Sequence, residues 1–235
     1  MNPTRWTILG LTTAAAVASA PAAARAQVIA QQAAPPRAET WQAAVGLRST
    51  FIRSAGFDPF SDRDVLHQIS LAAEHVFVRS GAFGFAAGIG ADFGGSDAVA
   101  RGAPAALSIW RLSALAEGRV QPWQRVYGFV RVAPGMLRMQ ANLADASSPN
   151  ARRLEDTFDL LSADASAGAA VSLSGPANPV AAWLTAEGGY GWAGSHHLLL
   201  APPAAPRDQP KLAPVDLGTI DPRGAFLRLA VAITY

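Results

Sequence analysis

The sequence predicts an all-β fold, an eight-stranded antiparallel up-and-down transmembrane β-barrel. Three observations lead to this prediction. The last residues, 225–235, alternate between an apolar and a mixed face and stop at the aromatic Tyr235. Seven upstream segments of about ten residues alternate in a similar way, as barrel strands do. The connections between the segments are alternately short and long, which is typical of a barrel with turns at one rim and loops at the other.

The first residues have the pattern of an export signal. Arg5 precedes an apolar stretch over residues 8–20, and Ala24-Arg25-Ala26 follows it as a small-residue cleavage site. The apolar stretch is shorter than the roughly 20 residues that a membrane-spanning helix needs. We therefore expect a signal peptide over residues 1–26, a polar, proline-containing periplasmic linker over 27–39 and the barrel over 40–235.

Composition excludes several classes of protein. The formal charge of +2 includes Arg5 and Arg25 of the signal, so the remaining chain is close to neutral and lacks the basic excess of a nucleic-acid-binding protein. Cysteine is absent, which excludes disulfides and cysteine-ligated metals. No cofactor-binding motif is present, and none is expected.

The first four predicted strands cover residues 41–52, 65–78, 83–93 and 107–120. The first places Trp41 and Val45 on one face and Arg48 on the other. The second opposes an apolar face to one that includes Glu74. The third alternates most clearly, since its bulky apolar residues oppose glycines and Asp92. In the fourth, an apolar outer face opposes a polar inner face, in which Leu115 is the one apolar residue. The other inner residues are Arg111, Ser113, Glu117 and Arg119.

The remaining predicted strands cover residues 125–136, 158–173, 182–194 and 225–235. In the fifth, valines point outward, which puts Tyr127, Phe129 and Arg131 inside. The sixth opposes alanines to a polar set with Asp164, and the seventh turns Glu187 inward. The eighth has Arg228 on its mixed face. In each case alternate side chains point to opposite faces, so the apolar set faces lipid and the polar set the interior.

The connections after the first, third, fifth and seventh strands are expected to be long loops, over residues 53–64, 94–104, 137–157 and 195–223. The other three are short. Aromatic residues fall near the strand ends, as in the girdles of a membrane barrel. One set is expected at the rim of the short turns: Trp41, Phe77, Phe83, Trp123 and Tyr235. The other is expected toward the loops: Phe51, Phe93, Trp110, Tyr190 and Trp192.

The last strand resembles that of bacterial outer-membrane barrels. Its apolar face consists of Leu227, Leu229, Val231, Ile233 and Tyr235. In that family the C-terminal aromatic strand is read by the outer-membrane assembly machinery, so the resemblance implies this partner. Over residues 40–235 the pattern is similar to the OmpA/OmpX-like small outer-membrane proteins, which implies location in the outer membrane after export. A terminal strand of a soluble sandwich is the alternative reading.

The same alternation predicts a network of charges inside the barrel. Five acids and five arginines fall on inward positions: Glu74, Asp92, Glu117, Asp164 and Glu187, with Arg48, Arg111, Arg119, Arg131 and Arg228. An unpaired charge in a narrow interior is costly, and an eight-stranded barrel is just wide enough for side chains to fill it. We therefore expect a mutually neutralising plug, in which Arg48 and Arg228 share acids that include Glu74 or Glu187.

Catalytic and metal-binding patterns are weak. His196 and His197 follow Ser195 in the longest loop, near Asp208, but sequence adjacency does not supply the geometry of a catalytic triad or a third metal ligand. The sequence thus favours a non-enzymatic barrel with a structural or surface-interaction role, in contact with outer-membrane lipid and with an extracellular ligand at its outer loops. Two alternatives remain open, an outer-membrane lipid-modifying enzyme and a soluble periplasmic lipocalin-like barrel that binds an apolar ligand.

Overall fold

The computed structural model of the chain describes residues 41–100, 102–144, 153–174, 180–202 and 213–235. The predicted signal peptide and the linker to residue 39 lie outside the described residues. Within the described ranges there are ten strands, and one short 3₁₀ turn, Asp58–Phe60, lies between the first two. The strands are β1 Trp41–Phe51, β2 Val65–Ser80, β3 Phe83–Ala100, β4 Ala103–Trp123, β5 Val126–Ala144, β6 Arg153–Ser172, β7 Ala181–Ala193, β8 His196–Leu200, β9 Val215–Ile220 and β10 Gly224–Thr234.

Eight of these strands close into a ring. β1 to β7 pair in chain order, and β10 pairs with both β7 and β1. Every pairing is antiparallel, and β1 meets β10 from Gln42↔Thr234 to Thr50↔Phe226. The predicted eight-stranded antiparallel barrel is confirmed. In the described part of the chain, no helix is long and apolar enough to span a membrane.

The outer surface of the ring carries an apolar band. On every strand of the ring except β2, the outward residues are apolar or glycine over a span of about eleven residues; Ser49 on β1 is the exception. Examples are Val126 to Met136 on β5 and Leu161 to Val171 on β6. A tilted strand needs about 9–11 residues to cross a bilayer. We call the rim with Trp41 and Tyr235 the terminal rim and the opposite one the distal rim. All ten predicted girdle aromatics are exposed on this outer surface.

Beyond the band, β3 to β6 continue past the distal rim, and β4 to β6 turn apolar side chains inward there. The outward residues become polar on β5 and β6, for example at Arg138 and Asp159, whereas β3 still exposes Val99. The apolar inward set is Ala105, Leu107, Ile109, Leu137, Met139, Ala141, Leu154 and Phe158. The expected loop over residues 94–104 is therefore wrong, because Ala100 pairs directly with Ala103, and Gly102 (φ +86°) supplies the left-handed turn.

Two other predicted loops also contain regular structure. Most of the expected loop over 137–157 belongs to the strands, since β5 runs to Ala144 and β6 starts at Arg153. The expected loop over 195–223 holds the hairpin of β8 and β9, which pair from His196↔Ile220 to Leu200↔Val215. Only the connection over 53–64 is a loop with one 3₁₀ turn. A continuous outward apolar face is what identifies a strand in the sequence. That face ends where the apolar residues move inward, so the sequence pattern predicts loops over these extensions.

The extensions, the hairpin and the loop after β1 enclose a second core, which we call the cap. Phe57, Phe60, Leu198 and Ile220 are completely buried there against the inward residues of β4, β5 and β6. β8 is attached to β6 by two backbone hydrogen bonds between Glu155 and Ala201, of 2.9 and 3.1 Å. The cap lies at the distal end of the barrel.

The outward band can be tested with one substitution at two sites. Leu229, 62% exposed, lies near mid-span of β10, whereas Leu199, 50% exposed, lies on the cap hairpin. An arginine on the lipid face at mid-depth costs about 2–4 kcal/mol. Leu229→Arg should therefore lower the free energy of unfolding in lipid vesicles by that amount, as measured by urea titration.

Leu199→Arg is the matched control, because it adds the same charge to a surface of similar exposure outside the band. It should leave the free energy of unfolding within about 0.5 kcal/mol of wild type. Equal effects of the two substitutions would contradict the assignment of the band to lipid.

Candidate functional site

The interior of the barrel is the most elaborate polar site of the described chain. Every strand of the ring contributes at least one charged side chain to it, from Arg48 on β1 to Arg228 on β10. The structure places all ten residues of the expected network inside, with side-chain exposures between 1% and 12%. Inward positions of alternating strands bring these side chains to the axis, because successive residues point to opposite faces of the wall.

Four of the ten residues form a closed ring near the cap, which we call the distal ring. Arg48 Nη1 lies 3.2 Å from Asp92 Oδ2 and 2.6 Å from Asp164 Oδ2. Arg111 Nη2 lies 2.7 Å from Asp92 Oδ2, and its Nη1 contacts Asp164. Each arginine thus bridges both aspartates, and the ring is neutral.

A second closed ring lies toward the terminal rim, and we call it the terminal ring. Arg131 Nη2 donates to Glu74 Oε1 at 2.7 Å and lies 2.5 Å from Glu117 Oε2. Arg119 Nη2 donates to Glu74 Oε2 at 2.6 Å, while its Nε contacts Glu117. This ring also contains two arginines and two acids, so it too is neutral.

Glu187 and Arg228 join the two rings, and we call this pair the joint. Glu187 Oε2 lies 3.0 Å from Arg131 Nη1 of the terminal ring and 3.0 Å from Arg228 Nη1. Arg228 Nη2 lies 3.3 Å from Asp92 Oδ1 of the distal ring. The ten side chains are therefore one connected network with no net charge, which is the condition under which buried charges are tolerated.

Neutral side chains hold the network in place. Ser166 Oγ donates to Glu187 at 2.6 Å, Arg48 Nε donates to Thr50 Oγ1 at 3.0 Å, and Ser70 donates to Asp92. The ring of Phe226 lies beneath Arg48, 3.9 Å from the guanidinium carbon. At Gly191 a Cβ would lie only 2.8 Å from Asp164 Oδ1, so the glycine makes room for the distal ring. Sequence alternation places these residues inside but does not reveal which charges they serve.

Apolar and aromatic side chains lie at both ends of the network. The cap lies beyond the distal ring, and at the other end Trp183 packs on Tyr127, with ring centroids 5.0 Å apart, and donates to Thr234 Oγ1 at 3.0 Å. Three cavities along the interior have volumes of about 30 Å³ each. Each of these volumes is large enough for one or two waters.

The individual pairings differ in part from the expected ones. Arg48 and Arg228 do share an acid, but it is Asp92, whereas the expectation is Glu74 or Glu187. Of these two arginines, Glu187 pairs with Arg228 and not with Arg48, and Glu74 belongs to the terminal ring. The sequence gives the face of each residue, but the partners depend on the stagger between strands that are distant in the ring.

Each loop histidine pairs with a single aspartate among the described residues. His196 Nε2 lies 3.0 Å from Asp156 Oδ2 and its ring stacks on Phe158 at 3.9 Å, which fixes the hairpin to β6. His197 pairs with the exposed Asp216 at 3.1 Å, and the backbone N–H of Gly218 lowers the pKa of that carboxyl group. Asp208 lies outside the described residues. Among those described, no group of three or more histidine, cysteine or acidic side chains could hold a metal.

The residues of the expected assembly signal all lie on the outer surface of β10. Leu227, Leu229, Val231, Ile233 and Tyr235 are between 44% and 62% exposed. Their strand is the one that closes the ring, because it pairs with both β1 and β7. This face of β10 is continuous with the apolar band.

Comparison with known proteins gives matches of fold alone. No family model and no curated protein matches the chain. Among solved structures, Ail, the attachment invasion locus protein of Yersinia pestis, crystallised with the heparin analogue sucrose octasulfate, is 11% identical. It covers 85% of this chain and 99% of its own, with a TM-score of 0.45.

Two further solved structures are similar in the same way. Neisserial surface protein A is 12% identical, over 86% of this chain and 100% of its own, with a TM-score of 0.43. The N-terminal β-barrel domain of Pseudomonas aeruginosa OprF is 10% identical, over 85% of this chain and 100% of its own, with a TM-score of 0.35. All three are small outer-membrane barrels of eight strands. Their identities are too low to transfer a function.

The joint predicts a specific pattern of compensation. Arg228→Met removes a buried charge and leaves Glu187 and Asp92 with an excess of negative charge, which should cost about 3–5 kcal/mol of unfolding free energy. Adding Glu187→Gln restores neutrality while leaving both rings intact, so most of that loss should be recovered. The measurement is urea unfolding of the refolded variants in vesicles.

Glu74→Gln is the matched control for that rescue. Combined with Arg228→Met it gives the same net charge, but it leaves the terminal ring with one uncompensated arginine. This double variant should be no more stable than Arg228→Met alone. Equal recovery by the two acids would show that only total charge matters and that the rings are not separate units.

Proposed function

We propose that the protein is a closed, non-enzymatic barrel of the bacterial outer membrane that presents its cap at the cell surface. The observation that carries this proposal is the reversal of polarity along β5 and β6. These two strands are apolar outside and charged inside over the span of a bilayer, then polar outside and apolar inside beyond it. A wall that crosses from lipid into water needs this reversal.

The packing of the interior supports a structural or interaction role rather than transport. A conducting pore needs a continuous lumen, whereas apolar clusters at both ends and paired charges between them favour a closed barrel. The same packing argues against a lipocalin-like barrel, whose interior would be apolar and would contain a ligand-sized cavity. The exposed apolar band has no use in a soluble protein of that kind.

The cap is the surface that we assign to interaction with an extracellular ligand. It is a folded unit with its own buried core, so its outward side chains are held on a rigid frame. Insertion through the assembly machinery, by way of the outward face of β10, belongs to the same proposal. The signal peptide over residues 1–26 would supply the export step.

Topology can be tested by cysteine labelling, because the chain has no cysteine of its own. Asp216→Cys places a thiol on the exposed cap hairpin, and Gln124→Cys places one in the exposed turn between β4 and β5 at the terminal rim. In intact cells a membrane-impermeant maleimide should label the first variant at least tenfold more than the second. After permeabilisation both should react. Labelling of Gln124→Cys alone in intact cells would contradict the proposed orientation.

If the interior is closed as proposed, the protein conducts no ions across a bilayer. In planar bilayers, the refolded protein should give no conductance steps above background at 1 M KCl, because the cap and the Tyr127–Trp183 contact close both ends. Vesicles carrying the protein should retain a small entrapped dye for as long as protein-free vesicles. Stable single-channel steps in the wild type would contradict the filled interior.

A further inference from the structure

A pair of polar side chains interrupts the apolar band near the distal rim. Ser49 on β1 and His67 on β2 are direct cross-strand partners, and both point outward. Ser49 Oγ and His67 Nδ1 are 3.0 Å apart. Along the described outward faces of the band, and apart from the tyrosine and tryptophan side chains of the girdles, the only other polar side chain is His75, near the terminal rim.

The position of the pair is that of a lipid headgroup rather than of the acyl chains. Phe51, the last band residue of β1, lies two residues beyond Ser49. Two residues of a tilted strand correspond to about 5 Å along the membrane normal. The pair therefore lies just inside the distal edge of the band, where the polar parts of lipids meet their chains.

The surroundings leave the imidazole accessible from the side. The cross-strand neighbour of His67 on β3 is Gly95, which has no side chain, so a notch lies beside the ring. The exposed Leu47 and Ile69 form the apolar side of the notch toward mid-membrane. Since Nδ1 is already held by Ser49, the outward Nε2 is the atom available to a ligand.

We propose that Ser49 and His67 bind the phosphate of a membrane lipid headgroup in the leaflet at the distal rim. In a protonated imidazole Nδ1–H donates to Ser49 Oγ, so the Nε2–H and the serine hydroxyl both remain as donors for phosphate oxygens, and the positive charge adds attraction. An ionisable side chain on a lipid-facing surface is costly unless it has a polar partner, and the headgroup is the partner that this depth offers. This site rests on the proposed membrane location.

The same geometry does not make the pair a hydrolase. A serine–histidine nucleophile needs a third group to orient the histidine and donors for the oxyanion. No acidic side chain hydrogen-bonds to His67 in the described part of the chain. The strand amides around the pair are engaged in the ladders of β1, β2 and β3. Binding without turnover is what the arrangement supports.

The test is native mass spectrometry of the full barrel released from detergent with equal amounts of phosphatidic acid and diacylglycerol of the same acyl chains, which differ only in the phosphate. Wild type should retain phosphatidic acid at least fivefold more than diacylglycerol, and inorganic phosphate at the same concentration should not displace it. His67→Ala and Ser49→Ala should each reduce that preference at least threefold. His197→Ala, on the cap, is the control and should leave it unchanged.

Each outcome decides between separate claims. Urea unfolding in vesicles first shows whether each variant inserts and folds, so a protein that never inserts overturns the proposed function rather than the site. If the variants fold but keep the wild-type preference, the site is refuted while the barrel stands. Retention of both lipids to the same extent by wild type would also refute it. Release of free fatty acid on incubation would show that the pair is catalytic and would overturn the proposal of binding alone.

Discussion

The whole structure depends on a wall one strand thick that separates two environments. Alternate residues of each strand face opposite sides of the wall. A strand in lipid must therefore be apolar on the outside, and its polar and charged side chains must fit into a narrow interior. The five acids and five arginines satisfy that condition by neutralising one another in two rings and a joint. Where the lipid ends, the outward side chains must be polar because they face water, and the inward side chains of the same strands enclose an apolar core.

The charges of the interior are arranged in separate neutral units, which the equal numbers of acids and arginines alone do not reveal. Each ring is neutral by itself, and the joint is a neutral pair, so the network is divided into units that can be altered separately. Phe226 and the small inward residues, such as Gly191, set the space in which the arginines lie. A buried ion pair contributes little net stability compared with an apolar replacement.

The sequence was sufficient for the ring of strands and for the face of each charged residue, because both follow from a period of two. In β5, for example, the outward valines were enough to put Tyr127, Phe129 and Arg131 inside. The extensions of β4 to β6 could not be recognised in the same way, since their apolar residues change faces at the edge of the band. The pairing of Arg228 with Glu187 and Asp92 depends on strand stagger, which alternation does not specify.

The claim that the strands pass from lipid into water at a defined residue can be measured directly on β5. Spin labels attached to single cysteines at outward positions 130, 132, 136, 138 and 140, in protein refolded into vesicles, report collisions with oxygen in lipid and with a nickel chelate in water. We expect the first three to be accessible to oxygen and protected from the chelate, and the last two to show the reverse. Chelate accessibility at 130 and 132, or oxygen accessibility that continues unchanged through 140, would contradict the account.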